Sequence, residues 1–437
     1  MTAKETALTQ RQQTASDRQS SGQHQVVTWG TGRGRRILSV LSIRNYRLFF
    51  LGQVVSVSGT WMQRVAQSWL VLEITNSGTA VGAVTALQAA PVLILGPFGG
   101  SLADRLDKRR LLMVTQIAAG TLAVGLAILV LTDRVELWMI YGFALLLGVS
   151  SSVDSPARQA FVMEMVGRDK LTNALGLNSV LVNVARMIGP AIAGLLIVAA
   201  GIGLCFLFNG LSYLALIVAL LLMNTSQLEK SDTRDSKERR MRAAFAYVRG
   251  TRELMVPLLM VVVISIFVYE FEVILPLLAR FTFGGDAGTF GTMFGAIGVG
   301  ALIGGLHTAS RSRSPDDSLA AAAILLCVGM AATTFAPTLI FALIALVLVG
   351  AAGTGFLALA NSSLQLKSPT ESRGFVVGLW AVAFLGSRPF GALLIGYVGE
   401  NAGPRYGIGI GAVAAAVVAI WALRVFGPAS SIQSKHV

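Results

Sequence analysis

Long apolar runs alternate with short polar turns from Tyr46 to Arg424, and one polar interruption inside that region is far longer than a turn. A helix needs about 20 mostly apolar residues to cross a hydrocarbon core of roughly 30 Å, and the runs are of that length. They predict helices over 46–72, 79–103, 111–131, 137–160, 173–199 and 202–223, then over 255–279, 288–309, 317–335, 338–362, 373–398 and 404–425. The interruption, Asn224 to Arg252, mixes Lys230, Asp232, Arg234, Asp235, Lys237, Glu238, Arg239, Arg240 and Arg242. Charge at that density cannot enter lipid. Residues 225–254 are therefore expected to link a six-helix bundle over 45–224 to a second over 255–426, which makes an all-α integral membrane protein of twelve transmembrane helices.

Composition agrees: hydrophobic residues make up 54% of the chain and charged ones 13%, against roughly 25% charged in soluble domains. The net charge of +13 raises the question of a nucleic-acid partner, and its distribution answers it. With the N-terminus inside, one side of the membrane holds Arg33, Arg35, Arg36, Arg44, Arg47, Arg105, Lys108, Arg109, Arg110, Arg158, Arg168, Lys170, the linker cluster, Arg311, Arg313, Lys367 and Arg373; the opposite loops hold Arg134, Arg280 and Arg405. That asymmetry is the positive-inside pattern, which leaves both termini in the cytoplasm and reads the basic residues as topology signals beside anionic lipid. No folded basic module is visible, so nucleic acid is not expected as a partner. Residues 1–44 and 427–437 are expected to be cytoplasmic tails, the first disordered. Residues 1–32 are rich in Gln, Ser and Thr and lack the apolar core of a secretory signal. Cys205 and Cys327 fall in apolar spans, and with three histidines they suggest neither a disulfide framework nor a metal site.

An internal repeat organises the bundles. Gly148, Gly176-Leu177, Arg186, Gly189 and Gly194 recur as Gly350, Gly378-Leu379, Arg388, Gly391 and Gly396, every pair 202 positions apart. Gly99-Gly100 recurs as Gly304-Gly305 at a spacing of 205. Two parallel halves related by an axis along the membrane normal place a solute site near the midplane between them.

The turn Gly100-Ser101-Leu102-Ala103-Asp104-Arg105-Leu106-Asp107-Lys108-Arg109-Arg110 resembles the signature loop of the major facilitator superfamily of transporters, with Asp107 where the broad pattern has Gly. Ser155-Pro156-Ala157-Arg158-Gln159-Ala160-Phe161, Gly167-Arg168-Asp169-Lys170-Leu171, Asn173-Ala174 and Arg186-Met187-Ile188-Gly189-Pro190-Ala191-Ile192-Ala193-Gly194 resemble the helix 4 to 5 region of the bacterial branch that includes enterobactin exporters and macrolide efflux pumps. The resemblance runs from about Ser42 to Val425 and implies the facilitator fold, an exporter and a proton gradient as energy source, with no cofactor. Gly189-Pro190 with Gly194 resembles a degenerate antiporter motif, although small residues also serve plain helix packing.

Candidate chemistry falls into three sets. In the loop, Gly100 and Ala103 are expected to let helices 2 and 3 pack closely, and Asp104 to accept from a helix N-terminus or pair with a cation such as Arg158; Arg105 and Arg109 are either part of this latch or solvated topology signals. The second set comprises ionisable groups at membrane depth, where a charge costs at least about 2.5–3.5 kcal/mol: Arg64 with Gln53, Gln63 and Gln67 on helix 1, Glu270 and Glu272 on helix 7, and Ser265 and Tyr269 beside them. On a continuous helix the two glutamates point about 160° apart, so one of them, with Glu270 favoured, is expected to alternate between Arg64 and a proton. The pairing could equally be structural. The third set is Arg186, Arg388 and Asp154, expected to brace helices or to attract an anionic substrate, with Gly391 on the same repeat. Trp61 and Trp69 suit either a ligand or the interface, and His307 reads as a boundary residue.

The chain is expected to be a monomeric secondary transporter in a bacterial inner membrane, exporting drugs, siderophores or similar amphipathic small molecules. The alternative is a proton-coupled importer of a small nutrient. An enzyme or ATP-driven pump is disfavoured, because neither a Gly-x-x-x-x-Gly-Lys-Ser/Thr phosphate loop nor a His-Glu-x-x-His motif occurs.

Overall fold

A computed structural model describes residues 39–228, 248, 250–310, 315–369 and 373–426. The expected N-terminal tail up to residue 38, most of the linker, Arg311, Arg313 and the C-terminal tail lie outside the described residues, as do the side chains of Arg168 and Arg373. Among the described residues the fold is all helical. The first bundle contains α1 (Arg44–Thr75), α2 (Gly78–Arg105), α3 (Lys108–Leu131), α4 (Leu137–Gly167), α5 (Asp169–Ala200) and α6 (Ile202–Leu221). The second contains α7 (Arg252–Thr282), α8 (Ala287–Ser310), α9 (Pro315–Thr334), α10 (Leu339–Lys367), α11 (Arg373–Asn401) and α12 (Pro404–Phe426).

Ten of these helices are long and apolar enough to span a bilayer. The other two are α9, whose apolar part is Ser318–Thr334, and α1, which carries Gln53, Gln63, Arg64, Gln67 and Glu73. Gln53, Gln63 and Gln67 are buried in the protein and Arg64 is half-buried, so these polar groups face other helices and not lipid.

The turns follow from local chemistry. Ser77 caps α2 by accepting from the Ala80 N–H at 3.1 Å, and Asp107 caps α3 by accepting from the Arg110 N–H at 2.8 Å. The expected break between residues 160 and 173 narrows to one residue, Gly167, whose φ of 70° only glycine adopts freely. Phe161, Val162, Met165 and Val166 continue the helix because they are buried in one cluster with Phe49 and Ala174.

The predicted repeat reappears as a repeat of contacts. A Cβ on Gly148 would strike the Gln88 carbonyl of α2, and one on Gly350 the Ile297 carbonyl of α8. Gly189 lies against Trp61 and Ser58 of α1 and Gly391 against Ile266 of α7; Gly194 meets Gly288 and Gly291 of α8, and Gly396 meets Gly78 and Gly82 of α2. Each glycine therefore approaches the equivalent helix of its own half or of the opposite half, as two-fold pseudo-symmetry requires.

The last two contacts join the bundles. They sit at the end of α5 and α11 and the start of α8 and α2, which is the end remote from Arg44 and Phe426. Glu400, near the end of α11, also accepts there from the Ser77 hydroxyl at 2.7 Å and the Thr79 N–H at 2.8 Å. Toward the other end, α2 and α4 line a cavity of about 360 Å³ that includes Gly100, Asp104, Ser155 and Gln159.

Candidate functional site

α7 supplies the unusual geometry. It runs as Arg252–Phe267 and Phe271–Leu277, closed by a π turn over Leu278–Thr282, and between the two pieces Glu270 has φ −92° and ψ 43°. The break removes the 160° separation expected of glutamates two positions apart on one helix. Both carboxylates reach Arg388 on α11: its Nε lies 3.4 Å from Glu270 Oε1, and its Nη2 lies 3.4 Å from Glu272 Oε1.

Arg64 on α1 completes the group. Its Nη1 donates to Glu272 Oε1 at 3.2 Å, which links one bundle to the other. The expectation that favoured Glu270 as the Arg64 partner is therefore corrected, because the break turns Glu272 toward α1 and leaves Glu270 on Arg388. Glu270 is 1% exposed and Glu272 6%. Desolvation of ions at such depth costs several kcal/mol each, and two carboxylates shared between two guanidiniums offset it.

Arg388 thus leaves the set in which the sequence placed it. Asp154 leaves as well: its Oδ1 accepts from Thr115 Oγ1 at 2.9 Å and Gln116 Nε2 at 2.7 Å, and its Oδ2 from Arg158 Nε at 3.0 Å and Nη2 at 2.7 Å. Arg158 is therefore on Asp154, one turn away on α4, not on Asp104 as expected. Arg186 on α5 stays separate. Its guanidinium carbon lies 4.8 Å from the Trp61 ring centroid, and that of Arg64 lies 4.9 Å from the same ring. The Arg186 Nε is buried without a partner among the described residues.

The three glutamines divide. Gln63 accepts from the Asn209 side chain of α6 and so faces its own bundle. Gln53 and Gln67 are buried, and the Nε2 of each has no partner among the described residues. Ser265 donates to the Phe384 carbonyl, while the Tyr269 ring packs edge-on against Phe384 with centroids 5.2 Å apart. Trp69 donates to Glu73 at 2.7 Å and stacks on Phe290 of the second bundle at 6.2 Å, so it is a packing residue here. His307 lies exposed near the end of α8.

The charged turn after α2 also differs from expectation. Gly99, not Gly100, is the packing glycine, and it meets the Ser152 carbonyl of α4, whereas a Cβ on Gly100 would meet nothing within 4 Å. Arg109 donates to the last carbonyls of α6, with Nε 2.6 Å from Leu220 O, so it caps that helix and is not a solvated signal. Lys108 pairs with Glu164 at 2.9 Å. Asp104 and Arg105 are exposed, and Asp104 lines the larger cavity.

A smaller cavity, of about 80 Å³, is bounded by Arg64, Glu272 and Arg388 with Thr85, Gln88, Ser151 and the apolar Ala89, Val92 and Leu385. Val92 lines both cavities, so the two are neighbours along α2. The hydroxyls and amide of this lining, like the Glu400 contact, escaped the sequence reading. Single Ser, Thr and Gln residues in apolar helices carry no pattern; for Glu400, the only signal was a carboxylate at a helix end near a Ser-Gly helix start.

The sequence profile of the transmembrane secretion effector family matches residues 36–435. The chain is 24% identical over 261 residues to the staphyloferrin A transporter of Staphylococcus aureus, covering 59% of this chain and 65% of that protein. It is 25% identical to the multidrug efflux pump Tap of Mycolicibacterium fortuitum, covering 82% and 89%, and 24% identical to the enterobactin exporter EntS of Salmonella typhimurium, covering 87% and 92%. Among solved structures, the nucleoside transporter NupG superposes with a TM-score of 0.70 at 12% identity, covering 88% of this chain and 99% of that one. A bacterial homologue of the iron transporter ferroportin in an inward-facing state gives 0.66 at 15%, covering 87% and 98%.

Proposed function

Because this chain belongs to the transmembrane secretion effector family of major facilitator transporters, we propose that it is a proton-coupled exporter of drugs, siderophores or similar amphipathic small molecules, working by alternating access. The observation that carries the reading is the Arg64–Glu272 link between the bundles, with Arg388 holding the same carboxylate and Glu270. A proton on Glu272 removes the charge that holds Arg64, so protonation and separation of α1 from α7 are linked. In this reading, the contacts around Gly194, Gly396 and Glu400 close the outer face, and the cavity beside Asp104 opens to the cytoplasm.

Asp104, Arg105 and the Asp154–Arg158 pair belong to the region that rearranges when the inner face closes, while Gly189, Pro190 and Gly391 let α5 and α11 slide closely past α1 and α7. The charge asymmetry supports a bacterial inner-membrane location with both termini in the cytoplasm, and the chain works as a monomer. Relatives named for siderophores and drugs support the substrate range. The test uses inside-out vesicles carrying a pH dye, with candidate drugs and siderophores added to wild type, Glu270→Gln and Glu272→Gln. Substrate-driven proton movement is expected in wild type and strongly reduced in Glu272→Gln; equal movement in all three would overturn proton coupling through this cluster.

A further inference from the structure

We infer that the compound carried by this protein bears a carboxylate or similar acidic group, and that Arg186 receives it. The inference rests on the transport reading and adds the substrate class. Its first support is the comparison of the two halves. Arg186 and Arg388 are the same position of the repeat, 202 residues apart, and each reaches toward the first helix of its own half. In the second half that helix offers Glu270 and Glu272, and Arg388 binds both. In the first half it offers Trp61 and Arg64, and the Arg186 guanidinium meets the indole ring and a neighbouring cation.

The second support is charge. The described cluster contains three guanidiniums, of Arg64, Arg186 and Arg388, and two carboxylates, of Glu270 and Glu272. Arg64 and Arg388 take both carboxylates, so one positive charge is left over at Arg186. No hydrogen bond or ion pair to Arg186 occurs among the described residues, and its buried Nε is unpartnered. A cation–π contact contributes about 0.5–2 kcal/mol, much less than the several kcal/mol needed to desolvate an ion. A carboxylate brings the missing partner, and the planar fork of an arginine suits it bidentately.

Trp61, half-buried, then shapes the rest of the ligand, since an acid carrying an aromatic or apolar body can lie along the indole, which the buried Phe294 backs with its centroid 6.2 Å away. The polar wall of the small cavity, Thr85, Gln88 and Ser151, is uncharged and accepts either hydroxyls or amides. A cationic compound would meet Arg64 and Arg388 in that cavity, both bound to the available acids, and Arg186 beside Trp61.

The test measures equilibrium binding of 1-naphthoate and of its uncharged amide, 1-naphthamide, to the full chain in proteoliposomes. Wild type is expected to bind the acid at least about tenfold more tightly, as a charged hydrogen-bonded pair implies. Arg186→Gln should erase that preference, and Arg186→Lys should keep part of it. Equal binding of acid and amide by wild type, no binding of the acid, or a preference that survives Arg186→Gln would each overturn the inference. The wild-type comparison decides it even where a variant fails to fold. Efflux of the cationic dye ethidium from the same vesicles separates the two readings. Dye efflux without any acid preference leaves transport standing and removes the acidic substrate; the absence of any proton-driven efflux of acid, amide or dye counts against transport itself.

Discussion

Glu272 Oε1 is shared by two arginines, Arg64 from the first bundle at 3.2 Å and Arg388 from the second at 3.4 Å. The sharing is unequal in consequence. Arg64→Met leaves Glu272 still held by Arg388, whereas Arg388→Met leaves Glu270 with no cation and Glu272 with one. Breaking a buried ion pair by removing one partner costs about 3–5 kcal/mol, so Arg388→Met should destabilise by that amount and Arg64→Met by about 1–2 kcal/mol. Unfolding midpoints in detergent decide between them, and equal losses would contradict the asymmetry. Arg64→Met should in addition loosen α1 from α7, which Arg388→Met does not do directly.

At the closed end, Gly396 packs its Cα face on Gly78 and Gly82. Gly396→Leu drives a side chain between α11 and α2, and overpacking of this kind costs about 1–3 kcal/mol. Because that cost applies only while the end is shut, the population should shift toward opening there. Spin labels at the exposed Asn76 and Asn401 should report a distance longer by several ångström. Glu400→Gln, which weakens an anion at the start of α2, should move the same distribution in the same direction by less, in keeping with about 0.3–1 kcal/mol for such a charge. An unchanged distance in Gly396→Leu would mean that this crossing is not the closure.

Long-period information was legible in the sequence. The apolar runs located the helices, and the spacing of 202 found the glycines on which the bundles cross. What the sequence hid was local. Nothing in Val268-Tyr269-Glu270 announces that the helix breaks, yet the break alone brings Glu270 and Glu272 to one arginine and gives Glu272 to Arg64. The sequence likewise could not tell Gly99 from Gly100, since one step rotates a residue about 100° around the helix and only the neighbouring Ser152 carbonyl decides which faces α4. Arg109 suited either a latch or a topology signal in the sequence, because a side chain that caps α6, far away in the chain, has no local signature.

The charged turn holds two aspartates with different tasks. Asp107 caps α3 through the Arg110 N–H, and Asp107→Ala should cost about 1 kcal/mol of stability. Asp104 is exposed and lines the cavity between α2 and α4, so Asp104→Asn should leave the unfolding midpoint nearly unchanged while slowing turnover far more than it weakens binding. Parallel measurement of unfolding, binding and efflux for the two variants tests the division. Equal loss of binding and turnover in Asp104→Asn would contradict a role in the transport cycle.

Asp286 offers a pH test outside the membrane-spanning helices. It stands before α8, where its Oδ1 accepts from the Thr289 N–H at 2.9 Å and the Thr289 hydroxyl at 3.1 Å. The Thr289 backbone hydrogen bond, more than the hydroxyl, holds this carboxyl below its usual range. A carboxyl whose folded value is depressed contributes stability above its unfolded value of about 3.9, and loses it as the pH falls through the lower folded value. Asp286→Ala should therefore cost about 1 kcal/mol at about pH 7, and the gap from wild type should narrow at about pH 3 as Asp286 takes up its proton. Asp286→Asn, which keeps an accepting oxygen without the charge, should lie close to wild type near neutrality and show no such narrowing of its own relative to the alanine variant. Unfolding midpoints of the three proteins at the two pH values test this, and a wild-type-to-alanine gap of the same size at both would show that the ionised carboxylate has no part in starting α8.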